Sequence, residues 1–184
     1  MNKKEATNRL LEFIAIIFQR AIEGDVSLLR VICNDNDYIG KVIKRIITQT
    51  RTEVRCGAGS YMFSFAADGN IYPCDCFVGN PYYVMGSFYK GISSEQHKRY
   101  SDLSVNNRKK CKNCWAKYAC GGDCYHNSYL KHGDLLVPDD TYCDMMLQVI
   151  ECIIAYINQY RMMDRDSYNA FCKFLQVRNR MSRK

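Results

Sequence analysis

Two segments near the N-terminus have the hydrophobic spacing of amphipathic helices. The first predicted helix spans Glu5 to Glu23, and Gly24 follows it as a plausible stop signal. Its apolar positions are Leu10, Phe13, Ile14, Ile17, Phe18 and Ala21. The second predicted helix spans Asp37 to Gln49, although Gly40 weakens its start. We expect these helices to pack only on each other, as the end of a larger preceding domain.

From position 60 the pattern changes from helical to alternating. Tyr61, Phe63 and Phe65 alternate with smaller or more flexible side chains, and a second extended run begins at Ile71. Between the two runs lies Asp68-Gly69, a pair that favours the positive φ of a tight hairpin turn. The sequence therefore predicts a small β-hairpin, followed by a glycine-punctuated loop.

Helical spacing returns in the second half of the chain. The pattern predicts a short helix from Ser94 to Leu103 and a last helix from Arg165 to Val177. Between them, a long helix is expected to begin at Asp139 or Asp140 and to continue through about Tyr160. One small β element among helices predicts an α+β fold, with cysteine-rich turns between the hairpin and the C-terminal helices.

Composition and charge narrow the class of protein. The 184 residues are 47% hydrophobic and 24% charged, which is ordinary for a folded globular chain. The formal net charge of +7 comes partly from a basic tail, and no nucleic-acid-binding motif accompanies it. The most apolar stretch, from Leu10 to Phe18, is too short to cross a bilayer and does not have the form of a signal peptide. We expect a cytoplasmic protein with reduced cysteines and neither a membrane nor a nucleic-acid partner.

Seven of the eleven cysteines form one spaced set. They are Cys56, Cys74, Cys111, Cys114, Cys120, Cys124 and Cys143. Thiolates in this number suit iron–sulfur clusters or zinc. Because four ligands are enough for one structural zinc ion, the surplus favours two clusters, or one cluster and an incomplete second one. A zinc ribbon remains an alternative on spacing alone.

The order of these cysteines resembles the SPASM domain, which lies at the C-terminus of many radical SAM enzymes and binds two auxiliary 4Fe–4S clusters. The resemblance covers about residues 55–146. It is carried by Cys56-x12-Gly69-x4-Cys74 and by Cys111-x2-Cys114-x5-Cys120-x3-Cys124, and also by the runs Asp68-Gly69-Asn70-Ile71-Tyr72-Pro73-Cys74-Asp75 and Cys120-Gly121-Gly122-Asp123-Cys124. Within that family the chain is most similar to peptide maturases that form thioether crosslinks, and next to anaerobic sulfatase maturases.

The resemblance implies a division of the ligands between two clusters. One cluster would be held by Cys111, Cys114, Cys120 and Cys143. The other would be held by Cys56, Cys74 and Cys124, which leaves its fourth ligand open. Sulfatase maturases carry a further cysteine near the position of Met62. Here the fourth ligand is either Cys76 or the thiolate of a bound substrate.

Other residues near the cysteines have a functional and a structural interpretation. By the resemblance, Asp75 would be a general base beside the substrate; the alternative is a carboxylate that accepts hydrogen bonds from nearby backbone N–H groups. Trp115 is expected to shield a cluster from water. Asp123 is expected to be a turn residue, and His126 and His132 to be ordinary surface or helix-side histidines.

A missing motif limits the predicted activity. Radical SAM chemistry requires a Cys-x3-Cys-x2-Cys loop, and the position that would complete it after Cys124 is Asn127. The chain also lacks room for the usual barrel of about 200 residues or more. We therefore expect S-adenosylmethionine to be used only through a missing or partner catalytic domain, with a precursor peptide or protein as the substrate.

The expected organisation follows from this resemblance. Residues 1–54 would be the helical end of a radical SAM barrel, residues 55–146 the auxiliary-cluster domain, and residues 147–184 C-terminal helices with a basic tail. Two alternatives remain open: a non-enzymatic zinc-binding interaction module, and a remnant of a truncated gene.

Overall fold

The computed structural model describes residues 2–33 and 37–181. Its helices are α1 (Lys3–Ile22), α2 (Ser27–Ile32), α3 (Tyr38–Thr48), α4 (Ser94–Ser101), α5 (Lys109–Lys112), α6 (Lys117–Cys120), α7 (Tyr125–His132), α8 (Asp140–Met163) and α9 (Arg165–Met181). Its strands are β1 (Ser64–Phe65), β2 (Asn70–Tyr72), β3 (Gly86–Ser87) and β4 (Gly91–Ile92). Backbone contacts divide the chain into a helical unit, residues 1–51 with 144–184, and a cysteine-rich unit, residues 52–143.

The helical unit is built from amphipathic helices that bury one face. In α1 the Asn2 side chain caps the first turn by accepting a hydrogen bond from the Glu5 N–H, and Ile14, Ile17 and Phe18 are fully buried. The Phe18 ring stacks on Tyr156 of α8 with 5.8 Å between centroids. Within the described residues, no helix combines the length and apolarity needed to cross a bilayer.

The two predicted N-terminal helices are confirmed as α1 and α3, but they do not pack only on each other. Helix α3 packs against α9 and also against α2, which was not predicted. Gly40 explains the approach of α2: a Cβ at this position would lie 1.6 Å from the Ile32 carbonyl oxygen. The glycine that weakens the helix by propensity is thus required for close packing.

The cysteine-rich unit contains a four-stranded antiparallel sheet with strand order β1-β2-β3-β4. Ser64 pairs with Tyr72 in the predicted hairpin, and Gly69 supplies its turn with φ at +83°. The α+β prediction is therefore confirmed. The two further strands lie in the segment predicted as a loop, with Asn70 pairing with Ser87 and Gly86 with Ile92.

A loop after Cys56 packs tightly against the end of the sheet. The Gly59 N–H donates a hydrogen bond to the Pro73 carbonyl over 3.0 Å, directly before Cys74. Gly59 has φ at +71°, and a Cβ on it would lie 2.2 Å from the Tyr100 ring. Since Tyr100 is itself only 1% exposed, the ring has little room to move away. Only glycine fits both the backbone conformation and the space.

We expect Gly59→Ala to destabilise the protein more than Gly79→Ala. Both glycines have a positive φ, so each substitution should lower the free energy of unfolding by about 1–2 kcal/mol. Only Gly59 faces a clash, because a Cβ at Gly79 would meet nothing within 4 Å. Overpacking should add about 1–3 kcal/mol to the loss at Gly59. Urea unfolding of both variants measures the difference, and equal losses would contradict the packing argument.

Candidate metal centre

The end of β2 places three metal-ligating groups together. Strand β2 is followed by a 3₁₀ turn, Asp75–Phe77. Within residues 2–33 and 37–181, one ligand atom each from Cys74, Asp75 and Cys76 lies within 4.8 Å of the others. Cys74 is buried, whereas Asp75 and Cys76 are exposed. The turn therefore presents an accessible thiol and a carboxylate next to a buried thiol.

Aromatic packing holds this turn against the start of α7. Phe77 is 1% exposed, and its ring meets His126 of α7 edge-on with 5.1 Å between centroids. Helix α7 begins immediately after Cys124. The pKa of the Cys76 thiol is raised, first by burial and then by the charges of Asp75 and Cys124. Cys76 and Cys124 are thus close enough to interact electrostatically.

Cys56 approaches the same region through the Gly59–Pro73 hydrogen bond described above. The pKa of the Tyr125 hydroxyl is raised to about 12, mainly by burial, with contributions from the charges of Cys56 and Cys124. For Cys74, burial raises the thiol pKa to about 11, with smaller contributions from Cys76 and Asp75. These interactions connect Cys74 with Cys76 and Cys76 with Cys124, and Tyr125 interacts with both Cys56 and Cys124.

A second group of thiols lies around α5. The Cys114 N–H donates to the Cys111 carbonyl over 2.9 Å, which forms a tight turn between these two cysteines. Cys120 ends α6, and Cys143 lies in the first turn of α8. Lys110 of α5 forms an ion pair with Asp140 of α8. Electrostatic interactions connect Cys143 with Cys111 and Cys120, and Cys111 with Cys114.

Burial raises the pKa of two thiols of this group, Cys143 and Cys111, and so favours their neutral form in the absence of a metal. It raises the pKa of Cys143 to about 12, and the charges of Cys111 and Cys120 act in the same direction. The pKa of Cys111 is also raised, first by burial and further by Cys120 and Cys114. A bound metal would supply the positive charge that favours the thiolates. An all-sulfur donor set of this kind fits iron–sulfur clusters or zinc.

Two glycines allow the loop between α6 and α7 to pack closely. A Cβ at Gly121 would lie 2.9 Å from the Val54 carbonyl oxygen, in the segment that leads to Cys56. The same segment is fastened by a hydrogen bond from the Thr52 N–H to the Tyr118 carbonyl over 3.1 Å. The loop carrying Cys120 and Cys124 therefore rests directly on the chain before Cys56.

The other residues singled out in the sequence have mixed outcomes. The charge of Asp75 contributes to the raised pKa of the Cys76 thiol, and the role of Asp75 as a general base remains a prediction. Trp115 is 58% exposed, so the expectation that its ring shields the site disagrees with the structure. His126 packs on Phe77, and His132 lies exposed in the last turn of α7.

The sequence analysis did not predict that two charged residues of the cysteine-rich unit are buried. Arg108 is 1% exposed and Asp123, which was expected only to form a turn, is 2% exposed. Charged side chains are seldom buried so completely. The one available signal was their position inside the cysteine-rich segment, and that signal does not distinguish a buried charge from a solvated one.

Comparison with known proteins gives partial similarity. No family model matches the chain. An anaerobic sulfatase-maturating enzyme of the cysteine type from Clostridium novyi is 33% identical over 75 residues, which is 39% of this chain and 20% of that enzyme. An uncharacterized protein of Archaeoglobus fulgidus is 27% identical over 138 residues, which is 68% of this chain and 31% of that protein. The chain thus spans only about a fifth and a third of these relatives.

We expect Cys143 in the metal-free protein to react slowly with iodoacetamide at pH 8. With a thiol pKa of about 12, only roughly one thiolate in ten thousand molecules is available at that pH. Because the pKa is raised, the rate should increase about tenfold for each added pH unit. Peptide mapping by mass spectrometry measures the rate, with the urea-denatured protein as control. Equal rates in the folded and denatured protein would contradict a half-buried thiol that is held in its neutral form.

Proposed function

We propose that this chain is the auxiliary-cluster portion of a radical SAM maturase, with a SPASM-like arrangement of two 4Fe–4S clusters. The observation that carries the proposal is that all seven spaced cysteines lie in one compact unit, residues 52–143, where several of them interact electrostatically. The partial similarity to an anaerobic sulfatase-maturating enzyme supports the same class. In this proposal residues 55–146 form the cluster domain, residues 1–54 the end of the barrel, and residues 147–184 the C-terminal helices.

The ligand sets follow the two groups of thiols. Cys111, Cys114, Cys120 and Cys143 would hold one cluster, and Cys56, Cys74 and Cys124 would hold three irons of the other. The grouping of the Cys76 thiol with Cys74, and its electrostatic interaction with Cys124, favours Cys76 as the fourth ligand. A substrate thiolate at that iron is the competing assignment.

The clusters, when bound, would supply one-electron transfer close to the substrate. The chain's own residues would hold them by thiolate sulfur and keep the buried ligands away from water. The exposed Asp75 carboxylate would accept a proton from the substrate, since it lies at the accessible side of the Cys74–Cys76 turn. Cleavage of S-adenosylmethionine would require a catalytic domain or subunit, and the substrate would be a precursor peptide or protein.

Anaerobic reconstitution with iron and sulfide tests the cofactor. We expect about eight irons per chain and two cluster signals in the EPR spectrum of the reduced protein. The same preparation without sulfide and with zinc serves as the control for simple thiolate binding. A folded protein that retains zinc but takes up no iron would contradict this proposal and favour the zinc-binding interaction module.

We expect Cys76→Ala to open one iron of the second cluster, whereas Cys152→Ala, a cysteine on α8 outside both groups, should have no effect. After mild oxidation the Cys76→Ala protein should show the EPR signal of a 3Fe–4S cluster. The iron that has no protein thiolate is easily lost from such a cluster. Adding a thiol such as 2-mercaptoethanol should change the spectrum of this variant and not that of the wild type. A wild-type spectrum that responds to the added thiol would instead assign the open iron to a substrate.

A further inference from the structure

A fully buried arginine, Arg108, lies three residues before Cys111 in the sequence. Arg108 Nη1 donates to the Asp123 carbonyl over 2.9 Å, and Nη2 donates to the Ser128 hydroxyl over 3.3 Å and to the Leu135 carbonyl. The guanidinium also lies 4.9 Å from the centre of the Tyr125 ring. These partners are all uncharged, and Nε has no acceptor in the part of the chain that the structure describes. The hydrogen bonds orient the guanidinium without neutralising its charge.

The nearby negative charge is Asp123, and it is engaged elsewhere. Its carboxylate accepts hydrogen bonds from the Cys124 N–H over 2.7 Å and from the Asp139 N–H over 3.0 Å. The Asn127 amide donates over 2.9 Å and the Ser128 hydroxyl over 3.4 Å. Ser128 therefore accepts from Arg108 and donates to Asp123. One hydroxyl connects the two buried charges.

Both charges lie at the loop that follows Cys120. Arg108 lies three residues before Cys111, and its carbonyl accepts a hydrogen bond from the Lys112 N–H over 2.8 Å. The guanidinium also lies against the loop after Cys120, since a Cβ at Gly122 would be 3.1 Å from Nη1. Asp123 belongs to this same loop, between Cys120 and Cys124, and its backbone carbonyl accepts the hydrogen bond from Arg108 Nη1. The two side chains thus place opposite charges in one buried region beside the cysteine ligands.

We propose that Arg108 and Asp123 are positioning residues that set the reduction potential of a cluster held by Cys111, with Arg108 raising it and Asp123 lowering it. This inference rests on the proposed function. Reduction adds one electron from an external low-potential donor, so the site becomes one unit more negative and no bond forms or breaks. A buried cation stabilises the more negative form, and a buried anion disfavours it, because charges interact strongly where water is excluded.

The assignment of Arg108 follows from what a buried charge requires. A guanidinium removed from water is costly unless an anion compensates it. In the metal-free protein Asp123 supplies that compensation only through Ser128. A cluster held by four thiolates would add negative charge at Cys111, three residues from Arg108. The buried arginine therefore suits an anionic group at this position better than an electrically neutral one.

The test is a potentiometric EPR titration of the reconstituted full chain in a Cys74→Ala background, which removes a ligand of the other group. We expect Arg108→Gln to lower the midpoint potential and Asp123→Asn to raise it. Arg108→Lys keeps the charge and should stay near the parent potential. Lys131→Met, which removes an exposed charge on α7, should also leave the potential close to that of the parent.

Iron and sulfide content is measured for every variant, because a purely structural role would lower cluster content without a signed shift in potential. Shifts in the same direction for Arg108→Gln and Asp123→Asn, or shifts no larger than that of Lys131→Met, would overturn the inference. If Arg108→Gln does not fold, the test uses Arg108→Lys and Asp123→Asn. A potential that is raised in Asp123→Asn and unchanged in Arg108→Lys supports the inference. Unchanged potentials in both variants overturn it. A parent chain that assembles no iron–sulfur cluster refutes the proposed function itself.

Discussion

The close approach of backbone segments that carry cysteines is the constraint on which the cysteine-rich unit depends. Its strands are two or three residues long, so regular secondary structure contributes few of the contacts. Instead, Gly59 joins the loop after Cys56 to the end of β2, and Gly121 brings the central loop onto the segment before Cys56. Because side chains at these positions would clash with rigid neighbours, the thiols can be gathered only by a chain that has glycine there.

The elements with strong periodicity could be predicted from the sequence, and the short ones could not. Helices α1, α3 and α8 have buried faces long enough to show their spacing, and the Asp68-Gly69 turn identifies the first hairpin. Helix α2 has six residues and no side-chain cap. Strands β3 and β4 have only two residues each, and each begins with a glycine, so no alternation can develop.

The candidate site, too, could be predicted from the sequence only in part. The spacing of the seven cysteines could be read directly, and Cys76 could be considered because it lies two residues after Cys74. The burial of Arg108 and Asp123 could not be predicted from the sequence. It depends on tertiary contacts with Ser128, Leu135 and Asp139. The exposed position of Trp115 shows the converse: an aromatic residue beside a cysteine need not cover the site.

The five residues from Cys120 to Cys124 are constrained for different physical reasons. Position 121 is limited by the space beside Val54, position 122 by the guanidinium of Arg108, and position 123 by the donors that its carboxylate serves. No single replacement relieves these demands together. The helices of the other unit, by contrast, bury apolar faces that tolerate exchanges of similar volume. Over evolutionary time this short segment should therefore change much more slowly than the helices, and remain the most useful stretch for finding distant relatives.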